Sequence, residues 1–230
     1  MSVEQGCRLP GDRKSERSAL WAAASILPLG ERLHLSIRFR SAPWERLLPA
    51  FEPGGDLLDV GCGPGLLLHL LRRSGFRGTY LGIDVDARKI GRARRWLAEG
   101  AGARFEVLSV GEATASSFDQ VAVVDVLYLL PPDRRGAFVA EAVAGLRPGG
   151  RIVALTSGGG AGWKRRLDTL QERLAVWLHV TEGAAVAPCD GAEIAALLEG
   201  AGLAAPVVTS VGAGYAHGFE MVTARRPETG

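Results

Sequence analysis

From Asp56 onward, short apolar runs rich in β-branched residues alternate with longer stretches of helical periodicity. The predicted strands are 56–60 (DLLDV), 79–84 (TYLGID), 104–108 (RFEVL), 119–124 (DQVAVV) and 151–156 (RIVALT). Helices are predicted between them over 65–74, 87–99 and 133–146. This alternation predicts a parallel sheet with helices on both faces. Helices over 163–179 and 191–201 follow, then strands 206–211 and 218–224 joined by GAGYAHG. That loop is too short for a right-handed crossover helix, so the last two strands are expected to pair antiparallel. Residues 18–50 read as two or three helical pieces broken by Pro28, Gly30 and Pro43. Trp21, Leu29, Leu33, Ile37 and Leu47 supply their apolar faces, and residues 1–17 read as a polar, loosely held tail. Trp163, Leu167, Leu170, Leu174 and Trp177 form a stripe at helical spacing, read as packing on the sheet or lid, with a lipid-facing surface as the sharper alternative. The glycine run of 157–162 reads as a joint before that helix. The expected organisation is one globular unit, with residues 1–50 as tail and helical lid and 51–230 as the main domain.

A chain of 230 residues suits one decorated α/β domain. The formal charge of +2 and the scattered basic residues argue against a nucleic-acid partner. Cys7, Cys62 and Cys189 stand far apart with no CxxC among them, which argues against a zinc site or a disulfide framework and for a reducing, cytoplasmic setting. The polar N-terminus lacks the apolar core of a signal peptide, and the sequence holds no apolar run long enough to span a membrane.

Candidate chemistry concentrates in LLDVGCGPG, residues 57–65. A glycine-rich turn between a first strand and a first helix is a nucleotide-binding position. The dinucleotide fingerprint G-x-G-x-x-G is absent, because Asp59 is followed by Gly61, Gly63 and Gly65 at alternate positions. An acid at the strand end repels a pyrophosphate and suits a ligand with an ammonium group near the turn. Cys62 reads as a small apolar filler and not as a nucleophile.

The stretch resembles motif I of the class I S-adenosylmethionine-dependent methyltransferases. YLGIDVD puts Asp84 at the end of the second strand, about 20 residues past the turn, where an acid holds ribose hydroxyls. FDQVAVVDVLYLLPPDRR resembles the family's fourth-strand segment, and LRPGGRIVAL the turn and strand that follow. The resemblance covers residues 53–157 well and 190–225 loosely. It implies an α/β, Rossmann-like three-layer sandwich with a seven-stranded sheet, order 3-2-1-4-5-7-6, last strand antiparallel, and an N-terminal helical lid. It implies S-adenosyl-L-methionine as cofactor, with Gly61, Cys62, Gly63 and Gly65 forming the turn against the methionine part. Asp59 orients the amino group, Asp84 accepts from the ribose hydroxyls, and Val85 packs on adenine. The segment Leu108 to Val110, including Ser109, flanks the adenine edge, and Asp125 lies near the methionine chain or the sulfonium. Many relatives carry an acid near the end of the third strand; here Ser109 and Val110 stand there, with Glu112 a little later.

Methyl transfer from a sulfonium is an in-line displacement, so the protein's main tasks are alignment and exclusion of water. A base is needed only for an acceptor that holds its proton, such as an alcohol. His217 and Tyr128 are the candidate catalytic residues; His217 leads because its reference pKa of about 6.5 suits a base. His34 and Arg38, four apart on one helix face, together with Lys164 and Tyr215, are the candidate substrate-binding residues. No metal is expected, since the chain has no asparagine and its acids near the fourth strand do not cluster. The reading is methyl transfer to a small, possibly apolar or lipid-like molecule, oxygen favoured and nitrogen or carbon possible. The alternatives are aminopropyl transfer from decarboxylated S-adenosylmethionine and a non-catalytic cofactor-binding module, with a nicotinamide enzyme the weakest.

Overall fold

The computed structural model describes residues 6–97, 102–113, 117–157, 187–215 and 218–228. Seven strands form one sheet: β1 Asp56–Val60, β2 Thr79–Ile83, β3 Ala103–Glu106, β4 Phe118–Val124, β5 Leu146–Ser157, β6 Ala204–Ser210 and β7 Phe219–Arg225. Their order is β3-β2-β1-β4-β5-β7-β6. The first five strands pair in parallel, and β7 pairs antiparallel with both β5 and β6. The expected fold is therefore borne out, including the antiparallel hairpin.

The helices are α1 Arg13–Ala23, α2 Leu29–Ser41, α3 Trp44–Leu47, α4 Leu66–Arg73, α5 Ala87–Trp96, α6 Val110–Ala113, α7 Pro132–Ala144 and α8 Gly191–Gly200. Local chemistry starts several of them. The carboxylates of Asp12, Asp86 and Asp190 accept from the N–H groups of Ser15, Arg88 and Glu193 at the mouths of α1, α5 and α8. Pro132 opens α7 with its fixed φ.

The central strands β1, β2 and β4 read as near-continuous apolar runs because both their faces are covered, whereas the edge strand β6 is largely exposed. In β1, Leu57 joins a cluster formed with α1 to α5, whereas Leu58 and Val60 join a second cluster formed with α6 to α8. Alternate residues of β5 divide likewise, Val153 and Leu155 from Ile152 and Ala154.

Two expectations about the N-terminus are corrected. The stretch from Gly6 is not loosely held. Cys7 is buried and its N–H donates to the Phe51 carbonyl, and Arg8 N–H donates to that of Ser74. Helix α1 begins at Arg13, inside the expected tail, and its buried Glu16 pairs with Arg73 of α4. An ion pair to a distant helix compensates that buried carboxylate, which local polarity cannot reveal. The second correction concerns the apolar faces. Leu47 is fully buried, but Leu29, Leu33 and Ile37 are 68%, 53% and 55% exposed. The buried face of α2 is Leu35, Ser36 and Phe39. Its rotation is held by Glu31, which pairs with Arg92 and Arg95 of α5, and by Arg38. Gly30 lies inside α2 and does not break it. The predicted 163–179 helix with its stripe, most of the predicted glycine joint, Lys164 and His217 lie outside the described residues.

Candidate cofactor-binding site

The candidate site sits where β1 hands over to α4, at the carboxyl ends of the parallel strands. The N–H groups of Gly61 and Cys62 both donate to the Ile83 carbonyl, at 2.8 and 2.9 Å, so the turn is pinned to the end of β2. Gly61, Gly63 and Gly65 all have positive φ, at 74°, 56° and 81°. The turn thus needs glycine three times for backbone reasons, but its three positions face different surroundings. A Cβ on Gly61 would stand 2.6 Å from Val126 Cγ2, and one on Gly65 would stand 2.5 Å from Leu97 Cδ1. A Cβ on Gly63 would meet nothing within 4 Å, which marks Gly63 as the face turned to open space. Cys62 is buried, and burial pushes its thiol well above the ordinary range, which suits a filler and not a nucleophile. The indole of Trp96 braces the far side of the turn by donating to the Pro64 carbonyl at 2.7 Å.

Asp84 is preorganised. Its Oδ2 accepts from Gly63 N–H at 3.1 Å and its Oδ1 from Asp86 N–H at 2.9 Å, with Lys89 Nζ 3.5 Å from Oδ2. A carboxylate has about four acceptor sites, so capacity remains beyond these three contacts for a hydroxyl donor. Val85 beside it is 74% exposed and offers an apolar surface.

Asp59 lies beneath the turn, 2% exposed, with Oδ2 accepting from the Tyr80 hydroxyl at 2.5 Å. Burial pushes its carboxyl up to about 7; the Tyr80 hydrogen bond opposes that rise and the nearby Asp84 charge adds to it. The same burial and the Asp59 charge push the Tyr80 hydroxyl well above its usual range. Tyr80 is a residue that sequence reasoning missed. Its signal was a phenol in a strand otherwise aliphatic and buried, where the hydroxyl must find a partner.

At the third strand, the Ser109 hydroxyl and N–H both donate to Glu112 Oε2, at 2.6 and 2.8 Å. These bonds hold the Glu112 carboxyl below its usual range. Glu112, three residues past Ser109, is thus the acid fixed at the end of this segment. The side chain of Val110 is buried in the second core cluster, so only its backbone faces outward.

Asp125 follows β4 with φ of 63°, a left-handed conformation uncommon outside glycine. Its N–H donates to the Leu155 carbonyl at 2.9 Å. Its Oδ1 is buried without a hydrogen-bond partner, and its Oδ2 lies 3.6 Å from an Arg38 guanidinium nitrogen. Backbone strain, a buried acceptor and a facing cation coincide here, as they do at ligand sites. Tyr128 lies two residues beyond Val126 in a short 3-10 turn, half-buried against the second cluster. Of the candidate substrate residues, Arg38 reaches this site. His34 is exposed one turn earlier on α2. Tyr215 stands elsewhere, donating to Glu45 Oε1 at 2.7 Å with its ring against the Arg13 guanidinium.

The residues present fit S-adenosylmethionine: acceptors for hydroxyls at Asp84, an apolar plate at Val85, a side-chain-free wall at Gly63 and an unsatisfied carboxylate oxygen for a cation at Asp125.

Comparison with known proteins agrees. Residues 57–150 match the model of the methyltransferase domain family. The chain is 34% identical over 105 residues to a ubiquinone biosynthesis O-methyltransferase of Aeromonas salmonicida, covering 45% of this chain and 43% of that one. It is 34% identical over 118 residues to a probable methyltransferase, ltbC, of Aspergillus luteorubrus, covering 46% and 41%. The matches thus span less than half the length of these curated relatives. Among solved structures, an O-methyltransferase family protein from Burkholderia thailandensis superposes with a TM-score of 0.60 at 17% identity, over 95% of this chain and 60% of that one. The N-methyltransferase NodS from Bradyrhizobium japonicum, bound to S-adenosyl-L-homocysteine, superposes with a TM-score of 0.56 at 19% identity, over 84% and 88%. The stretch that carries the glycine turn, Asp84 and Asp125 is accordingly similar to the methyltransferase domain family, and the chain shares the fold of these methyltransferases.

Proposed function

We propose that this protein transfers a methyl group from S-adenosyl-L-methionine to a small-molecule acceptor, with oxygen as the favoured acceptor atom. The observation that carries the reading is Asp84, held by two backbone N–H groups beside an open glycine wall and followed by the exposed apolar Val85. The printed names of the O-methyltransferase relatives support oxygen, and the likeness to an N-methyltransferase keeps nitrogen as the second reading.

The cofactor, when bound, supplies a methyl group already activated on a cationic sulfur. The chain's own residues do the positioning. Asp84 accepts from the ribose hydroxyls, Val85 covers adenine, and the Ser109–Glu112 pair borders its edge. Gly61, Cys62, Gly63 and Gly65 let the backbone approach the methionine part. Asp59, held by Tyr80, supports the turn from below and stands nearest the amino group. Asp125 offers Oδ1 to the positive end of the ligand. Alignment of this kind accounts for most of the acceleration that a methyl transfer needs. Tyr128 and His217 stand as candidates to take a proton from the acceptor, and Arg38, His34 and Lys164 as candidates to hold it. Residues 1–50 act as the lid and 51–230 as the catalytic unit. The reading uses no metal; among the described residues no group of three His, Cys, Asp or Glu is placed to hold one. Among them, too, no helix is long and apolar enough to cross a membrane.

Calorimetric titration with S-adenosylmethionine and S-adenosylhomocysteine tests the reading on the native chain and on Asp84→Ala. Binding of both, lost in a variant that still melts cooperatively, is the expected result. Absence of binding to the native chain overturns it.

A further inference from the structure

A second site lies on the other side of α2. A cavity of about 600 Å³ opens between α1, α2, α3 and the loop joining β6 to β7. Arg13, Lys14, Arg17, Arg40 and Arg46 line it, with Glu45 as the single carboxylate among the described residues. That is an excess of four positive charges around one cavity, in a chain whose formal charge is only +2.

These cations fall into two groups. Arg13 and Arg46 build the wall. Arg13 donates to both Glu45 oxygens at 3.2 Å and to the carbonyls of Phe39 and Arg40. Arg46 donates to the carbonyls of Val211 and Ala213, each at 2.7 Å. Glu45 is further occupied by the Tyr215 hydroxyl at 2.7 Å. Lys14, Arg17 and Arg40 form the second group. They are exposed, and among the described residues none has a carboxylate partner. Like charges gathered around one concavity repel each other, and a bound anion relieves that repulsion. The cavity also has an aromatic edge, since the Tyr215 ring lines it, with the Arg13 guanidinium 4.9 Å from the ring centroid.

This is not the donor cleft. Residues two apart on a helix leave it on nearly opposite sides. Arg38 reaches Asp125 at the glycine-turn side, whereas Arg40 lines the cavity. The body of α2 separates the two.

We propose that the cavity binds a small molecule bearing phosphate groups, a diphosphate or a phosphate ester, with its organic part against the Tyr215 ring. Guanidinium groups meet phosphate oxygens in bidentate fashion, and an excess of four charges calls for a polyanion in preference to a single carboxylate. The inference does not depend on the methyl-transfer reading.

The test is calorimetric titration of the full chain with inorganic pyrophosphate, inorganic phosphate and ADP, beside S-adenosylmethionine as a control. Lys14→Glu/Arg17→Glu carries the charge reversal, and Arg40→Gln, a milder change, guards against loss of fold. Pyrophosphate is expected to bind at about millimolar affinity or tighter, more tightly than phosphate, and to weaken as salt rises. Its affinity is expected to fall by roughly tenfold or more in the double variant, with a smaller fall in Arg40→Gln, while S-adenosylmethionine binding stays as in the native chain. Tighter binding of ADP than of pyrophosphate identifies an aromatic organophosphate; the reverse identifies a site for the diphosphate alone. No pyrophosphate binding to the native chain, or equal binding to the folded variants, overturns the proposal.

Discussion

The Arg38 guanidinium of α2 stands 3.6 Å from Oδ2 of Asp125, which leaves β4 in a left-handed conformation with its other carboxylate oxygen buried and unpartnered. One oxygen of the carboxylate thus faces a protein cation, and the other is buried without a partner. Asparagine tolerates the left-handed conformation at least as well as aspartate. Asp125→Asn is therefore expected to change stability by no more than about 1 kcal/mol, because Arg38 is partly exposed and such pairs contribute little. Its effect is expected in binding. The preference for S-adenosylmethionine over the uncharged-sulfur product should fall several-fold, as read by calorimetry with both ligands. An unchanged preference means that Asp125 does not read the charge.

Two glycines of the same turn should fail differently. Gly61→Ala adds a Cβ 2.6 Å from Val126 Cγ2 at a φ of 74°. Valine is stiff at χ1 and cannot swing away, so a loss of about 1–3 kcal/mol of stability is expected in thermal melts. Gly63→Ala carries only the backbone cost, about 1–2 kcal/mol, because its Cβ meets nothing within 4 Å. That Cβ occupies the open side of the turn, so cofactor affinity should fall more than stability does. If Gly63→Ala binds S-adenosylmethionine like the native chain, the cleft lies elsewhere.

Asp59 and His69 should tilt the pH dependence of stability in opposite directions. Burial raises the Asp59 carboxyl to about 7, so between about 4 and 7 the folded state holds a proton that the unfolded state has lost. This group contributes stability at low pH that is lost as pH rises through that window. Burial, with the Arg73 charge adding to it and Glu16 opposing it, lowers His69 to about 4. Between about 4 and 6.5 the unfolded state binds the extra proton, so this group's contribution is lost as pH falls. Melting temperatures of Asp59→Asn should rise with pH across 4 to 6.5 more steeply than those of the native chain, and those of His69→Gln less steeply. Parallel curves for all three proteins would refute the assignment.

Arg135 is 1% exposed and gathers four backbone carbonyls, those of Leu127, Leu130, Ala187 and Pro188, besides Glu193 at 2.7 Å. It ties the turn after β4 to the chain entering α8. Arg135→Met leaves those acceptors buried or half-buried without a donor and is expected to cost about 3–5 kcal/mol in chemical denaturation. Arg135→Lys should recover little of it, since an ammonium cannot span the same fork. A loss under about 1 kcal/mol for either variant would show that water replaces the guanidinium.

Much of the sheet was legible in the chain. The predicted 56–60 strand coincides with β1, and the other strand expectations fall within a few residues of the observed ends. One departure is β5, which starts at Leu146 and not at Arg151, because Leu146 pairs with Phe118 ahead of a register shift in β4. That pairing is a meeting of two distant segments, and no local period announces it. The turn of Gly61 to Gly65 and the acid Asp84 were also legible, since backbone geometry alone demands glycine and the strand end places the acid. Helix α2 was not. Its apolar residues allow two faces, Leu29–Leu33–Ile37 or Leu35–Phe39, and periodicity cannot choose between them.

The sequence by itself determined the strand–helix alternation, the glycine turn and the acid that faces it, because these follow from spacing and from backbone conformations open to few residues. Tertiary structure alone decided which face of α2 is buried, that Asp59 is held by Tyr80, that Arg38 meets Asp125, and that five cations surround one cavity. Each of these joins residues far apart in the chain, and burial, charge pairing and packing act on distance in space and not on distance in sequence.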